Sequence, residues 1–105
     1  SLKSMTLEHY PGMTEKELER IALEAEARWP LIGCRIIHRY GTLKPADNIV
    51  LVITASSHRA AAFEAADFLM DFLKSNAPFW KKESVAGEEK WVDAKEVDTQ
   101  ALKRW

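Results

Sequence analysis

Ile49-Val50-Leu51-Val52-Ile53-Thr54-Ala55, running directly into Ser56-Ser57-His58-Arg59-Ala60-Ala61-Ala62-Phe63-Glu64-Ala65-Ala66-Asp67-Phe68-Leu69-Met70-Asp71-Phe72-Leu73-Lys74, decides the fold. Its first part is a short apolar run rich in β-branched residues. That pattern predicts a strand buried on both faces, hence central in its sheet. Then the period changes. Ser56 and Ser57 are N-cap candidates, and Ala62, Phe63, Ala66, Leu69, Met70 and Leu73 recur at helical spacing. The spacing predicts a helix ending near Ser75-Asn76, ahead of Pro78.

Upstream, residues 34–40 predict a strand that pairs with 49–55 as a hairpin, across a turn or loop from Gly41 to Asn48 that contains Pro45. Farther back, Thr14-Glu15-Lys16-Glu17 reads as a capping box, with Met13 and Leu18 placed for a hydrophobic staple. Leu18, Ile21, Ala22, Ala25 and Trp29 give a helix over 14–29 its inward stripe, and Pro30 stops it. Residues 4–10 predict a short strand before the Pro11-Gly12 turn. Downstream, 79–85 and 90–93 predict a hairpin turning at Ala86-Gly87-Glu88-Glu89. The tail from Ala94 to Trp105 reads as a short helix or an ordered extension. The order β-α-β-β-α-β-β implies one α+β domain over 1–105, with a largely antiparallel sheet and two main helices on one face.

Composition narrows the function classes. The chain has 105 residues, of which 47% are hydrophobic and 30% charged, a balance that supports a packed core. With 15 basic and 16 acidic residues the net charge is −1, which argues against binding nucleic acid by bulk charge. No run reaches the ~18 apolar residues of a membrane span, and no signal-peptide pattern opens the sequence. Cys34 is a single cysteine, which fits a reducing cytoplasm and a structural role. The three histidines show no metal-ligand spacing, so no metal site is expected.

Three clusters could carry chemistry. His58 and Arg59 fall where a strand enters a helix N-terminus, an end that carries unpaired N–H groups and positive partial charge. They make either an anion site or two solvated polar residues. Lys74, Lys81 and Lys82 form the second set. Crowded lysines lower one another's pKa and yield a better base or nucleophile, although Lys74 also suits a helix C-terminus. On a strand, Lys81 and Lys82 face opposite sides, so only one can share a pocket with Lys74. His38-Arg39 is the third, and His38 reads as a satisfied, partly buried residue. Trp80, Trp91 and Trp105 lie near basic residues and suit base stacking or, more commonly, a core or interface.

Several stretches taken together are specific: Leu7-Glu8-His9-Tyr10-Pro11-Gly12-Met13, Arg28-Trp29-Pro30-Leu31, Ile37-His38-Arg39-Tyr40-Gly41, Ser57-His58-Arg59-Ala60-Ala61-Ala62-Phe63-Glu64-Ala65, Leu73-Lys74, Ala77-Pro78-Phe79-Trp80-Lys81-Lys82-Glu83 and Lys90-Trp91-Val92. In this order and at these separations, from about Met5 to Trp105, the chain resembles the large-subunit family of molybdopterin synthase. The resemblance implies an α/β hammerhead-like fold and a sulfurtransferase that converts cyclic pyranopterin monophosphate into molybdopterin. It implies a small ubiquitin-like partner with a C-terminal thiocarboxylate, and a homodimer of large subunits that gives a heterotetramer. No cofactor is implied. Lys74 and Lys81 match the family's catalytic lysines. His58 and Arg59 match its substrate-binding pair, and Lys82 and Glu83 complete the substrate-contacting run. The family also has an earlier segment, with an apolar strand and a Gly-x-Val-Arg motif whose arginine lines the pocket. The chain is therefore expected to be N-terminally incomplete.

Two other function classes compete. One is a non-catalytic dimeric module that binds a ubiquitin-like tail. The other is a small nucleic-acid binder built on Trp80 and Lys81-Lys82, which predicts salt-sensitive binding.

Overall fold

A computed structural model describes residues 2–9, 11–75, 79–85, 88–92 and 96–105, and along 2–3, 9, 79–85, 90–92 and 96–99 the backbone path alone. The strand-to-helix unit is present: β4 (Val50–Ala55) enters α2 (Arg59–Ser75) through Ser56-Ser57-His58. Ser56 does not cap the helix. Its Oγ accepts from the His58 N–H at 3.1 Å and donates to the Pro30 carbonyl at 2.8 Å, while the His58 carbonyl accepts from Ala62 N–H. Thr54 Oγ1 donates to the Ala62 carbonyl at 2.7 Å and ties strand to helix.

β4 pairs antiparallel with β2 (Gly33–His38), in the predicted hairpin, with Ile37 opposite Leu51 and Arg35 opposite Ile53. Among the described residues these two strands form a sheet of their own. β4 is thus not central. Its inner side, with Val52, packs on the helices, while Leu51 and Ile53 stay about half exposed at 50% and 48%. Apolar character on both sides of a strand did not translate into burial on both.

α1 (Met13–Arg28) starts earlier than the Thr14 box predicts. Gly12, at φ 82, is the N-cap, and its N–H donates to the Glu15 carboxylate. Left-handed φ favours glycine, so the turn fixes the cap there. Thr14 is buried inside the first turn, and Glu17 pairs with Arg20. Met13, moved into the helix, is exposed and forms no staple. Trp29 turns extended ahead of Pro30, as the proline requires.

The second sheet has the order β3-β1-β5-β6, built from β1 (Leu2–His9), β3 (Gly41–Leu43), β5 (Phe79–Val85) and β6 (Glu88–Val92), all antiparallel. β3 corrects the reading of 41–48 as a loop throughout. The Thr6 and Thr42 hydroxyls lie 3.3 Å apart across β1 and β3, and Leu7 and Leu43 are buried. Asn76, Pro78 and the turn at Ala86-Gly87 lie outside the described residues.

Ile21, Ala25, Phe68, Leu69 and Phe72 form the helical core, joined by Trp29, Cys34, Ile36, Val52, Leu102 and Trp105. The helices therefore cover the β2–β4 sheet, where the sequence led us to expect one large sheet beneath them. The buried stripe of α2 is Ala61, Ala65, Phe68, Leu69, Phe72 and Leu73, rotated from the predicted one. Phe63 instead stands 74% exposed. A third helix, α3 (Glu96–Lys103), packs on α2 and brings Arg104 and Trp105 back to Asp71.

Candidate functional site

His58 and Arg59 stand at the open start of α2, and both are exposed. The first turn holds no acidic side chain, so the positive end of the helix dipole and two cation-capable groups point the same way. That arrangement suits a phosphate or carboxylate.

Lys74 is exposed in the last turn of α2, where the negative end of the dipole favours a cation. β5 follows shortly. Its backbone sets Lys81 opposite Leu7, Lys82 opposite Thr6 and Glu83 opposite Met5 in the neighbouring β1, and Lys81 opposite Val92 in β6. The side chains of Lys81, Lys82 and Glu83, and with them the question of which lysine shares a pocket with Lys74, lie outside the described residues.

The two ends of α2 are not one pocket. A rise of 1.5 Å per residue puts Arg59 and Lys74 about 22 Å apart along the axis. Within a single copy, Lys74 stands in the last turn of α2, and His58 and Arg59 stand a helix length away at its start. Residue count alone already separates them, since His58 and Arg59 are expected at the start of this helix and Lys74 at its end.

His38 is half-buried, and its Nδ1 lies 2.7 Å from the Arg39 carbonyl, which makes that nitrogen the donor. It is a satisfied structural histidine. Arg39 is likewise engaged, donating to the Asn48 carbonyl at 2.9 Å. Burial, and then the charge of Glu26, push the Cys34 thiol up, which suits packing and not nucleophilic attack. Among the described residues no group of His, Cys, Asp and Glu could hold a metal ion, and no helix is long and apolar enough to cross a membrane. An open depression on the β2–β4 hairpin is lined by Ile37, Arg39, Asp47, Asn48, Ile49, Val50 and Leu51. Of the described candidate cations of α2, His58, Arg59 and Lys74, none lines it.

Trp105 belongs to the core. Its ring meets Trp29 at 5.6 Å and Phe68 at 5.8 Å between centroids. Stacking on a nucleic-acid base is not its role. The sequence reading missed its partner Asp71, since an aspartate on a helix offers no pattern that names a tryptophan far down the chain.

A family model described as MoaE protein matches residues 1–76. A molybdopterin synthase catalytic subunit from Mesorhizobium japonicum is 63% identical, over 100% of this chain and 67% of that relative. The chain thus spans about two thirds of the length of relatives it matches. Among solved structures, the molybdopterin biosynthesis MoaE protein of Burkholderia ambifaria superposes with a TM-score of 0.83 at 57% identity, covering 99% of this chain and 71% of that one. Molybdopterin synthase from Staphylococcus aureus superposes with a TM-score of 0.82 at 34% identity, covering 87% of this chain and 66% of that one.

Proposed function

The chain belongs to the MoaE family of molybdopterin synthase catalytic subunits, and from that membership we propose that it is the sulfurtransferase subunit that builds the molybdopterin dithiolene on cyclic pyranopterin monophosphate. The observation that supports the reading is the order of lysines along these elements: Lys74 in the last turn of α2, then Lys81-Lys82 on the backbone of β5. A small ubiquitin-like partner supplies sulfur as a C-terminal thiocarboxylate. Its tail reaches Lys74: the thiocarboxylate sulfur bonds to the pterin, and water then cleaves the acyl–sulfur bond, leaving sulfur on the pterin and a carboxylate on the partner, while the Lys74 ammonium neutralises the thiocarboxylate and the oxyanion of that hydrolysis. Lys81 positions the pterin and moves protons as the ring opens, with Lys82 and Glu83 beside it. His58 and Arg59 hold the phosphate, helped by the helix N-terminus. The setting is cytoplasmic, in keeping with the lone thiol.

A helix-length gap exceeds the reach of one pterin phosphate. Homodimerisation resolves this: His58 and Arg59 of one copy face Lys74 and Lys81 of another, and two small subunits complete a heterotetramer. We propose that 1–105 acts as one domain within this assembly.

The test is direct. Protein incubated with cyclic precursor and thiocarboxylated small subunit should yield molybdopterin, and Lys74→Ala should not. At precursor far below its KM, where Arg59→Ala is also nearly silent, mixing Lys74→Ala with Arg59→Ala and letting subunits exchange should then return about a quarter of wild-type activity, because half the dimers carry one intact site of two. Wild-type turnover by Lys74→Ala would remove the lysine assignment. Absence of recovery on mixing would remove the shared site.

A further inference from the structure

Asp71 sits one turn before Lys74 on α2, and its side chain is only 15% exposed. Three donors converge on a single oxygen of it. Trp105 Nε1 lies 2.6 Å from Oδ2, Arg104 Nη2 2.9 Å and Arg104 Nε 3.2 Å. The Trp105 ring is wedged against Trp29 and Phe68, and its carbonyl accepts from Arg28 Nη1 at 2.8 Å. Arg28 in turn lies 4.6 Å over the Phe68 ring.

The chain between these contacts is a closed circuit. It leaves Asp71, passes Lys74, runs out along β5 and back along β6, and returns through α3 to Asp71. Every proposed lysine lies on that circuit. Filling space at the closure needs only an apolar pair. A carboxylate that receives three directional donors does more, because hydrogen bonds of this kind fix the rotation of a helix turn, which apolar contact leaves loose. Residues at i and i+3 share a helix face, so the turn held at Asp71 is the one that aims Lys74.

We propose that Asp71, Arg104 and Trp105 are positioning residues: their junction sets the direction of Lys74 and its placement relative to the β5 lysines. This rests on the reading of Lys74 given above, and two independent readouts separate the two ideas. Asp71→Ala removes the junction. Asp71→Asn keeps an oxygen for the Trp105 N–H. Arg104→Ala removes an exposed arginine and its cation–π contact with Trp105, and keeps the Trp105 N–H on Asp71.

Single-turnover sulfur transfer should fall on the order of 10- to 100-fold in Asp71→Ala, since a misplacement of an ångström is enough. Asp71→Asn should recover most of that rate, and Arg104→Ala should lose less than Asp71→Ala. Affinity for the small subunit should stay within a factor of about two in all three, because the loss is in aim and not in docking. Amide exchange from Phe72 to Ser75, measured where each variant is folded, should speed up in Asp71→Ala. Wild-type rate and wild-type exchange in folded Asp71→Ala would overturn the proposal. So would a rate loss that only follows the folded fraction and is not rescued by asparagine. Should Lys74→Ala prove fully active, the site reading fails, and the exchange measurement alone decides whether the junction orders this turn.

Discussion

The two ends of α2 carry the same kind of charge in opposite surroundings. At its start, His58, Arg59 and Phe63 are exposed and the first turn contains no acid. At its end, Phe68, Leu69, Phe72 and Leu73 are buried and Asp71 is engaged by the tail. One end presents cations outward from an open face. The other aims a cation from a turn that is tied down on several sides. A helix anchored at its end, and held at its start on the Ala61, Ala62 and Ala65 side alone, can offer the exposed side of that start to another copy without losing its own shape.

Substitutions at the anchored end should have the largest effects. Phe68→Ala opens the core between Trp29 and Trp105 and should cost about 3–5 kcal/mol, read from denaturant unfolding. A loss under about 1 kcal/mol would mean that this end is no more anchored than the other. Lys74→Ala should leave the melting temperature nearly unchanged, because the side chain is exposed, yet lower sulfur transfer on the order of 10²- to 10³-fold. At the open end, Arg59→Ala should raise the KM for cyclic precursor on the order of 10-fold, as expected for one charge-assisted phosphate contact. Burial raises the Cys34 pKa, so less thiolate is present at a given pH. Alkylation at pH 8 should therefore be slower than for a free cysteine and should accelerate on unfolding. Phe63→Ser should change monomer stability by no more than about 0.5 kcal/mol, the smallest effect, because its ring meets solvent.

Much of this contrast was legible in residues 49–74. The strand, the helix and the helix end near Ser75 all follow from periodicity and from Pro78. The phase of the helix did not. Ala60-Ala61-Ala62 and Ala65-Ala66 are small enough to sit on either of two neighbouring faces, and Phe63 and Phe68 compete to define the stripe. Leu69 and Leu73 belong to both solutions. Packing against β4 and α1 selected the one with Phe68 and Phe72 inside. Strand β3 was invisible because three residues have no period, and its existence depends on β1 lying alongside. The cap of α1 went to Gly12 because backbone geometry at the turn outweighed the attraction of a threonine. For the site, residue types and the family resemblance named the candidates. Their division between the ends of one helix is a matter of length, and the junction at Asp71 is a matter of long-range closure.

The position of β1 has a consequence for the birth of the protein. Thr54 and Ala62 meet over a short stretch of chain, so β4 and α2 can join as soon as both exist. β1 cannot do the same. Its register runs from Leu2 opposite Val85 to His9 opposite Phe79, and this loop is closed only after Phe79–Val85 has emerged. β1 is therefore completed late, after β5 has emerged. During synthesis, which takes seconds, one of its edges waits unpaired and open to strands of other chains. The yield of correctly folded protein should depend on how quickly Phe79–Val85 arrives, more than on the strength of the helical core that is already in place.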